Sequence, residues 1–92
     1  NKSYRAPTEQ ERTALSDLAV RLDQMADDSD GETLQSEVYA VGKDHGFENL
    51  REWFQALYQV LLGQSQGPRF GSFAALYGKA QTVTMIEDAL AR

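Results

Sequence analysis

Few side chains in this 92-residue chain have the types and spacing that acid–base or metal chemistry needs. His45 is the only histidine and cysteine is absent. Because a structural metal site needs several such ligands, we expect no metal centre. His45 could act as a general base, but it falls where a helix is predicted to end, and a cationic side chain is mildly stabilising there. We therefore favour a capping or surface role for His45 over a catalytic one.

Three other candidate sites are also weak. The acidic run from Asp27 to Glu32 lacks the bidentate glutamate that ends a calcium loop, so we interpret it as a solvated turn. Gly63 and Gly67 are not followed by the Lys-Ser or Lys-Thr of a phosphate-binding loop. Ser72 has no histidine or acid at a spacing that would activate it. The sequence therefore predicts no catalytic residue, no metal and no cofactor in this chain.

The segment Gly67-Pro68-Arg69-Phe70 could bind an anion and a base. Proline is favoured at the first helical position, so we predict a helix from Pro68 whose free N–H groups and dipole attract anions. Arg69 would add charge and a flat guanidinium surface, and Phe70 would offer a face for stacking. The alternative is that Phe70 and Phe73, three residues apart, belong to the core. The residues alone leave both interpretations open.

These residues must be positioned by helices, because hydrophobic side chains recur at spacings of three and four and no segment alternates convincingly. The segment Leu50–Leu62 is apolar nearly all round and should be buried as a central helix, with the others packed about it. We predict an all-α domain of five helices in an irregular or orthogonal bundle, spanning residues 1–92. The predicted elements are an extended lead-in at Asn1–Pro7, a helix begun by a capping box at Thr8, and helices at about Glu32–His45, Leu50–Leu62, Pro68–Tyr77 and Ala80–Ala91.

Composition limits the classes of partner. Hydrophobic residues make up 41% of the chain, and no apolar run is long enough to span a membrane. The formal charge is −5, and only residues 47–80, with Arg51, Arg69 and Lys79, carry a net positive charge. This is not the basic patch of an autonomous DNA- or RNA-binding protein. The lack of cysteine and of a signal peptide fits a cytoplasmic protein, and the lack of an initiator methionine suggests a segment of a longer one.

Several segments together resemble the C-terminal part of class I lysyl-tRNA synthetases over roughly residues 35–90. The specific part is GPRFGSF at Gly67–Phe73, where glycine, proline, arginine and aromatic residues follow in one tight order. The other matching segments are Tyr39–Lys43, His45–Glu48, Trp53–Tyr58, Leu61–Gln64 and Leu76–Gly78.

The resemblance implies an all-helical anticodon-binding domain that follows a Rossmann-type catalytic domain. The whole enzyme would activate lysine with ATP and charge lysine tRNA, so the implied partners are the anticodon loop and the upstream catalytic domain. HIGH-like and KMSKS-like signatures are absent, so the chain would be the non-catalytic C-terminal piece. The alternative function is a helical protein-interaction module that uses an apolar groove beside the central helix. The candidate RNA-contacting residues are Arg69, Phe70, Phe73, Arg51, Lys79 and Gln64.

Overall fold

The computed structural model describes residues 2–92, so Asn1 of the predicted lead-in lies outside the described residues. Within that range the chain forms five α-helices and one π-helical turn, and has no strand. None of these helices is long and apolar enough to cross a membrane. The all-α prediction is confirmed. The elements are α1 at Glu9–Gln24, α2 at Gly31–Asp44, α3 at Leu50–Leu57, the π-turn at Tyr58–Leu62, α4 at Phe70–Tyr77 and α5 at Lys79–Leu90.

Short polar side chains begin the first three helices. The predicted capping box is present: the Thr8 hydroxyl accepts the Glu11 N–H at 3.2 Å, and the Glu11 carboxylate accepts the Thr8 N–H at 2.9 Å. Asp30 and Asn49 cap α2 and α3, each side chain accepting a backbone N–H of the first turn. These bonds satisfy donors that have no partner within a helix, so local sequence sets where the helices begin.

The predicted central helix is not one regular α-helix. Its last turn widens into the π-turn, where the N–H groups of Gly63 and Gln64 both donate to the Tyr58 carbonyl. Gly63 has a φ of +67°, a conformation that glycine adopts without steric cost, and the helix ends there as predicted. Trp53 and Leu57 are fully buried, yet the most extensive backbone contacts lie elsewhere, between α2 and α4 and between α1 and α5. The segment therefore supplies core side chains more than close helix packing.

Glycines permit the closest approaches in the fold. At Gly71 on α4, an added Cβ would collide with the Gly31 carbonyl oxygen and lie 2.6 Å from the Gln35 backbone nitrogen. At Gly42 on α2, an added Cβ would lie 2.5 Å from the Trp53 ring. Only a residue without a side chain fits either place. The Trp53 indole N–H also donates to the Val38 carbonyl at 2.9 Å, so this large side chain is buried without an unpaired donor.

Helix α4 begins two residues later than predicted. Arg69 has a ψ of 120°, which is not helical, so Arg69 is the N-cap and Phe70 is the first helical residue. The Pro68 carbonyl instead accepts the Tyr58 hydroxyl at 2.7 Å, which holds the preceding residues in the link. The predicted helix start at Pro68 was wrong because this tertiary hydrogen bond and the extended Arg69 override the preference of proline for the first helical position.

A first prediction tests the approach of α2 and α4. Gly71→Ala should destabilise the domain by about 1–3 kcal/mol or more, because the added methyl meets backbone atoms that cannot rotate away. Urea denaturation would measure the change, with the neighbouring exposed Ser72→Ala as the control, expected within about 0.5 kcal/mol of wild type. Equal stability of the two variants would mean that the helices lie further apart than described.

A second prediction compares two leucines. Leu57 is fully buried, so Leu57→Ala should cost about 2–5 kcal/mol of unfolding free energy. Leu76 is 91% exposed, so Leu76→Ala removes the same atoms from the surface and should cost less than about 0.5 kcal/mol. A Leu57→Ala cost as small as that of Leu76→Ala would contradict the assignment of Leu57 to the core.

Candidate nucleic-acid interface

Arg69 lies on the surface at the start of α4, where one acidic residue holds it. Its side chain is 52% exposed, and its guanidinium Nη1 lies 2.8 Å from an Oε1 of Glu32, in the first turn of α2. The Glu32 side chain is itself 75% exposed. Exposed ion pairs contribute about 0–1 kcal/mol, so a phosphate could replace Glu32 as the partner at little energetic cost.

The predicted anion site at the start of this helix is smaller than expected. The Gly71 N–H, one of the first-turn donors, points into the domain and donates to the Gln35 side chain at 2.6 Å. The Phe73 N–H donates to the Arg69 carbonyl within the helix. Because the Gly71 donor faces α2 rather than solvent, any anion binding here must depend mainly on the Arg69 side chain.

Three aromatic rings form a ladder along α4 from the core to the surface. Phe70 is fully buried, so its ring cannot stack on a base; of the two interpretations, the core role fits. The centroid of the Phe73 ring lies 5.8 Å from that of Phe70 and 5.2 Å from that of Tyr77, and the last two rings are stacked within 16°. Tyr77 is 50% exposed. Tyr77 follows Phe73 by four residues, and this spacing, which is visible in the sequence, could have indicated that Tyr77 belongs to the ladder.

The remaining candidate residues differ in exposure and in their partners. Lys79 is 9% exposed at its side chain and its Nζ lies 3.4 Å from Asp27, so it is not a free surface cation. Arg51 is exposed at the start of α3. Gln64 is exposed beside Gly63. Among residues 2–92 no hydrogen bond or ion pair joins Arg51, Lys79 or Gln64 to Arg69, and one RNA surface shared with Arg69 stays a prediction.

The lead-in, which we predicted only to be extended, docks against the π-turn. The Ser3 N–H donates to the Gly63 carbonyl at 2.9 Å, and Arg5 donates to the Gln59 side chain at 2.7 Å and to both carboxylate oxygens of Glu11. Burial alone would raise the pKa of Glu11, but the hydrogen bonds from Arg5 and Thr8 outweigh it and hold that pKa below its usual range. Residues 3–5 are thus fixed parts of the surface.

His45 joins α1 to α2 rather than forming a catalytic group. Its Nε2 lies 2.7 Å from the Asp17 carboxylate, which also pairs with Arg21. These hydrogen bonds, that of His45 first, lower the pKa of Asp17. Arg21 continues the network to Glu37 and Asp44 on α2. Among residues 2–92 no group of three or more histidine or acidic side chains is arranged to hold a metal ion.

Comparison with known proteins finds one matching family model and several similar relatives. Residues 1–90 match the family model described as the anticodon binding domain. The chain is 56% identical over 90 residues to a lysine–tRNA ligase of Roseobacter denitrificans, and 44% identical over 89 residues to that of Rickettsia felis. These alignments cover 98% and 97% of this chain but 17% of each relative. No solved structure matches the chain.

The chain thus spans about a sixth of the length of these relatives. The family match extends over all five helices of the bundle, including the Arg69 turn and the aromatic ladder. This chain therefore belongs to the anticodon binding domain family.

Proposed function

We propose that this chain is the anticodon-binding domain of a class I lysine–tRNA ligase, and that it positions lysine tRNA for aminoacylation. A Rossmann-type catalytic domain elsewhere in the same protein would bind ATP, activate lysine and carry out the transfer. The names of the relatives and the GPRFGSF segment support this proposal. We assign no catalytic residue to the chain itself, and we propose a cytoplasmic location because tRNA charging serves protein synthesis.

The observation that carries the proposal is the exposed Arg69 on a rigid support. Phe70, the next residue, is fully buried, and the Gly71 N–H is bound to Gln35. These two contacts fix the backbone on one side of Arg69, while its guanidinium remains half exposed. A preorganised cation of this kind loses little conformational entropy when it binds a phosphate or stacks on an unpaired base of an RNA loop.

The charge of the chain supports a local contact rather than a wide one. With a net charge of −5, the domain as a whole repels RNA, so a few exposed cations must supply the attraction. Of the other candidates, Arg51 and Gln64 are exposed and stay predicted contacts, Phe73 is partly buried, and Lys79 is largely buried against Asp27. We infer that much of the affinity for tRNA comes from other parts of the ligase.

A protein-interaction module is the second candidate function. Leu76 and Tyr77 are large, exposed and adjacent on the outer face of α4, which favours it. Two side chains form a small patch, however, compared with the several hundred Å² typical of an interaction site. The Arg69 experiment separates the two functions, because a module without a role in RNA binding would show no effect on tRNA charging.

A third prediction tests Arg69 in the full-length ligase. Arg69→Ala should lower kcat/KM for lysine tRNA by about 5- to 150-fold, or about 1–3 kcal/mol, the size of one good RNA contact. Steady-state lysylation would measure it, with thermal melting to detect lost folding.

Glu32→Gln is the matched control, because it removes the partner of Arg69 while leaving the arginine in place. If Arg69 binds RNA, Glu32→Gln should charge tRNA as well as wild type or better. If the ion pair only holds α2 to α4, both variants should lose activity and thermal stability together, and the proposed contact would be wrong.

A further inference from the structure

A groove with a volume of about 580 Å³ opens where the lead-in, the π-turn, α4 and α5 meet. Its apolar part includes Leu61 and Leu62 of the π-turn and Met85 of α5. This volume lies within the range of roughly 300–1,000 Å³ that is usual for small-ligand sites. None of the predicted cations lies in it, and of the six candidate residues only Phe73 does.

One side of the groove is a preformed aromatic surface. Phe73 and Tyr77 line it as a stacked pair, and Phe73 packs in turn near the buried ring of Phe70. Tyr77 keeps half of its surface exposed. A half-exposed ring supported from behind by a second ring is held rigidly, so stacking a planar ligand on it orders few further side chains.

The opposite side combines cations with a third aromatic ring. The Arg92 guanidinium donates to the Val60 carbonyl at 2.9 Å and lies 4.8 Å from the centre of the Tyr4 ring. Lys2 also lines the groove. Asp88 is the one side-chain carboxylate among the described lining residues, so the side chains of the groove supply two cations against one anion in a chain whose net charge is −5. The local charge therefore suits an anionic ligand.

We propose that this groove holds one unpaired nucleotide of an RNA loop, with the base on Tyr77 and the phosphate beside Lys2 and Arg92. The inference rests on the proposed function and extends it, since the loop would be the anticodon loop of lysine tRNA. Loop bases are free to splay out and stack on aromatic rings, and a ring plus a nearby cation is the combination that single-stranded RNA needs. A protein segment would use the apolar floor but would not need the two cations.

The aromatic side of the groove belongs to the helix that begins after Arg69. The Phe73 N–H donates to the Arg69 carbonyl, so Arg69 lies one helical turn before Phe73 and two turns before Tyr77 on α4. The span from Arg69 to Tyr77 is about 12 Å along the helix. One RNA loop would thus contact Arg69 at the start of the helix and the groove at its end.

A fourth prediction tests the aromatic side. We would measure binding of the fluorescently labelled anticodon stem-loop of lysine tRNA to the full-length ligase by anisotropy. Tyr77→Ala should weaken binding about 5- to 150-fold, the loss expected for one base stacked on an aromatic ring. Tyr77→Phe keeps the ring and should bind within about twofold of wild type, since stacking needs the ring rather than the hydroxyl. Tyr39→Ala is the matched control, because Tyr39 is 42% exposed and lies outside the groove.

Removing single bases from the loop identifies the one in the groove. At one abasic position the loss of the base should weaken binding to wild type but should not further weaken binding to Tyr77→Ala. That position carries the base stacked on Tyr77. Arg92→Gln tests the cationic side: the slope of log affinity against log salt should become less negative by about 0.7, the value for one phosphate of a single strand. Lys43→Gln, at an exposed lysine outside the groove, should leave that slope unchanged.

The outcomes separate this inference from the proposed function. If wild type binds the stem-loop and Tyr77→Ala binds equally well, the groove holds no base, while the anticodon-binding function stands. The inference is also overturned if Tyr77→Ala weakens binding but no abasic position is coupled to it. An equal loss of binding in Tyr39→Ala would overturn it too. If the wild-type full-length ligase does not bind the stem-loop, both proposals fail. If Tyr77→Ala binds the stem-loop normally but lowers the melting temperature of the full-length ligase, the groove would instead be a contact with another part of the protein.

Discussion

The close crossing of α2 and α4 is the constraint on which the rest of the interface depends. Gly71 brings the two backbones together so closely that a single Cβ would not fit, and its N–H is bound to the buried Gln35 side chain. A buried amide oxygen left without this donor would cost about 1–3 kcal/mol, so the contact fixes both the position and the register of α4. Arg69 before the crossing and Tyr77 after it are placed by the same helix.

One short helix therefore serves both the core and the surface. Phe70 faces inward, Phe73 lies at the boundary and Tyr77 faces outward, so each ring supports the next. The eight residues of α4 are too few to be stable alone, and the burial of Phe70 and Ala74 supplies the stability that local propensity lacks. Substitutions in the core of this helix would for that reason also change the geometry of the exposed side.

The electrostatic character of the domain depends on which of its cations already bind other groups of the protein. Arg5, Arg21 and Lys79 pair with acidic residues, and Arg12 donates to the Leu90 carbonyl. Arg5 joins the lead-in to α1, and Arg21 joins α1 to α2. Lys79 joins α5 to the turn before α2, and Arg12 joins α1 to the end of α5. They contribute to the fold rather than to a positive surface. With half of its arginines engaged in this way, an acidic domain has few cations left for RNA, which agrees with the small local contacts proposed at the Arg69 turn and in the groove.

The sequence by itself determined the class of fold and most of the helix boundaries, because capping bonds at Thr8 and Asn49 and the left-handed glycine at Gly63 act over a few residues. It also carried the GPRFGSF segment and the resemblance to a lysyl-tRNA synthetase; the family match supports the anticodon-binding domain, and class I stays a proposal. Tertiary structure alone decided that Phe70 is buried and that α4 begins after Pro68. It also brought residues 2–4 and 92 to the aromatic ladder. Hydrophobic spacing shows that a helix has an inner face but not which partner covers it. That partner is set by contacts such as Gly71 with Gln35, which join residues 36 positions apart.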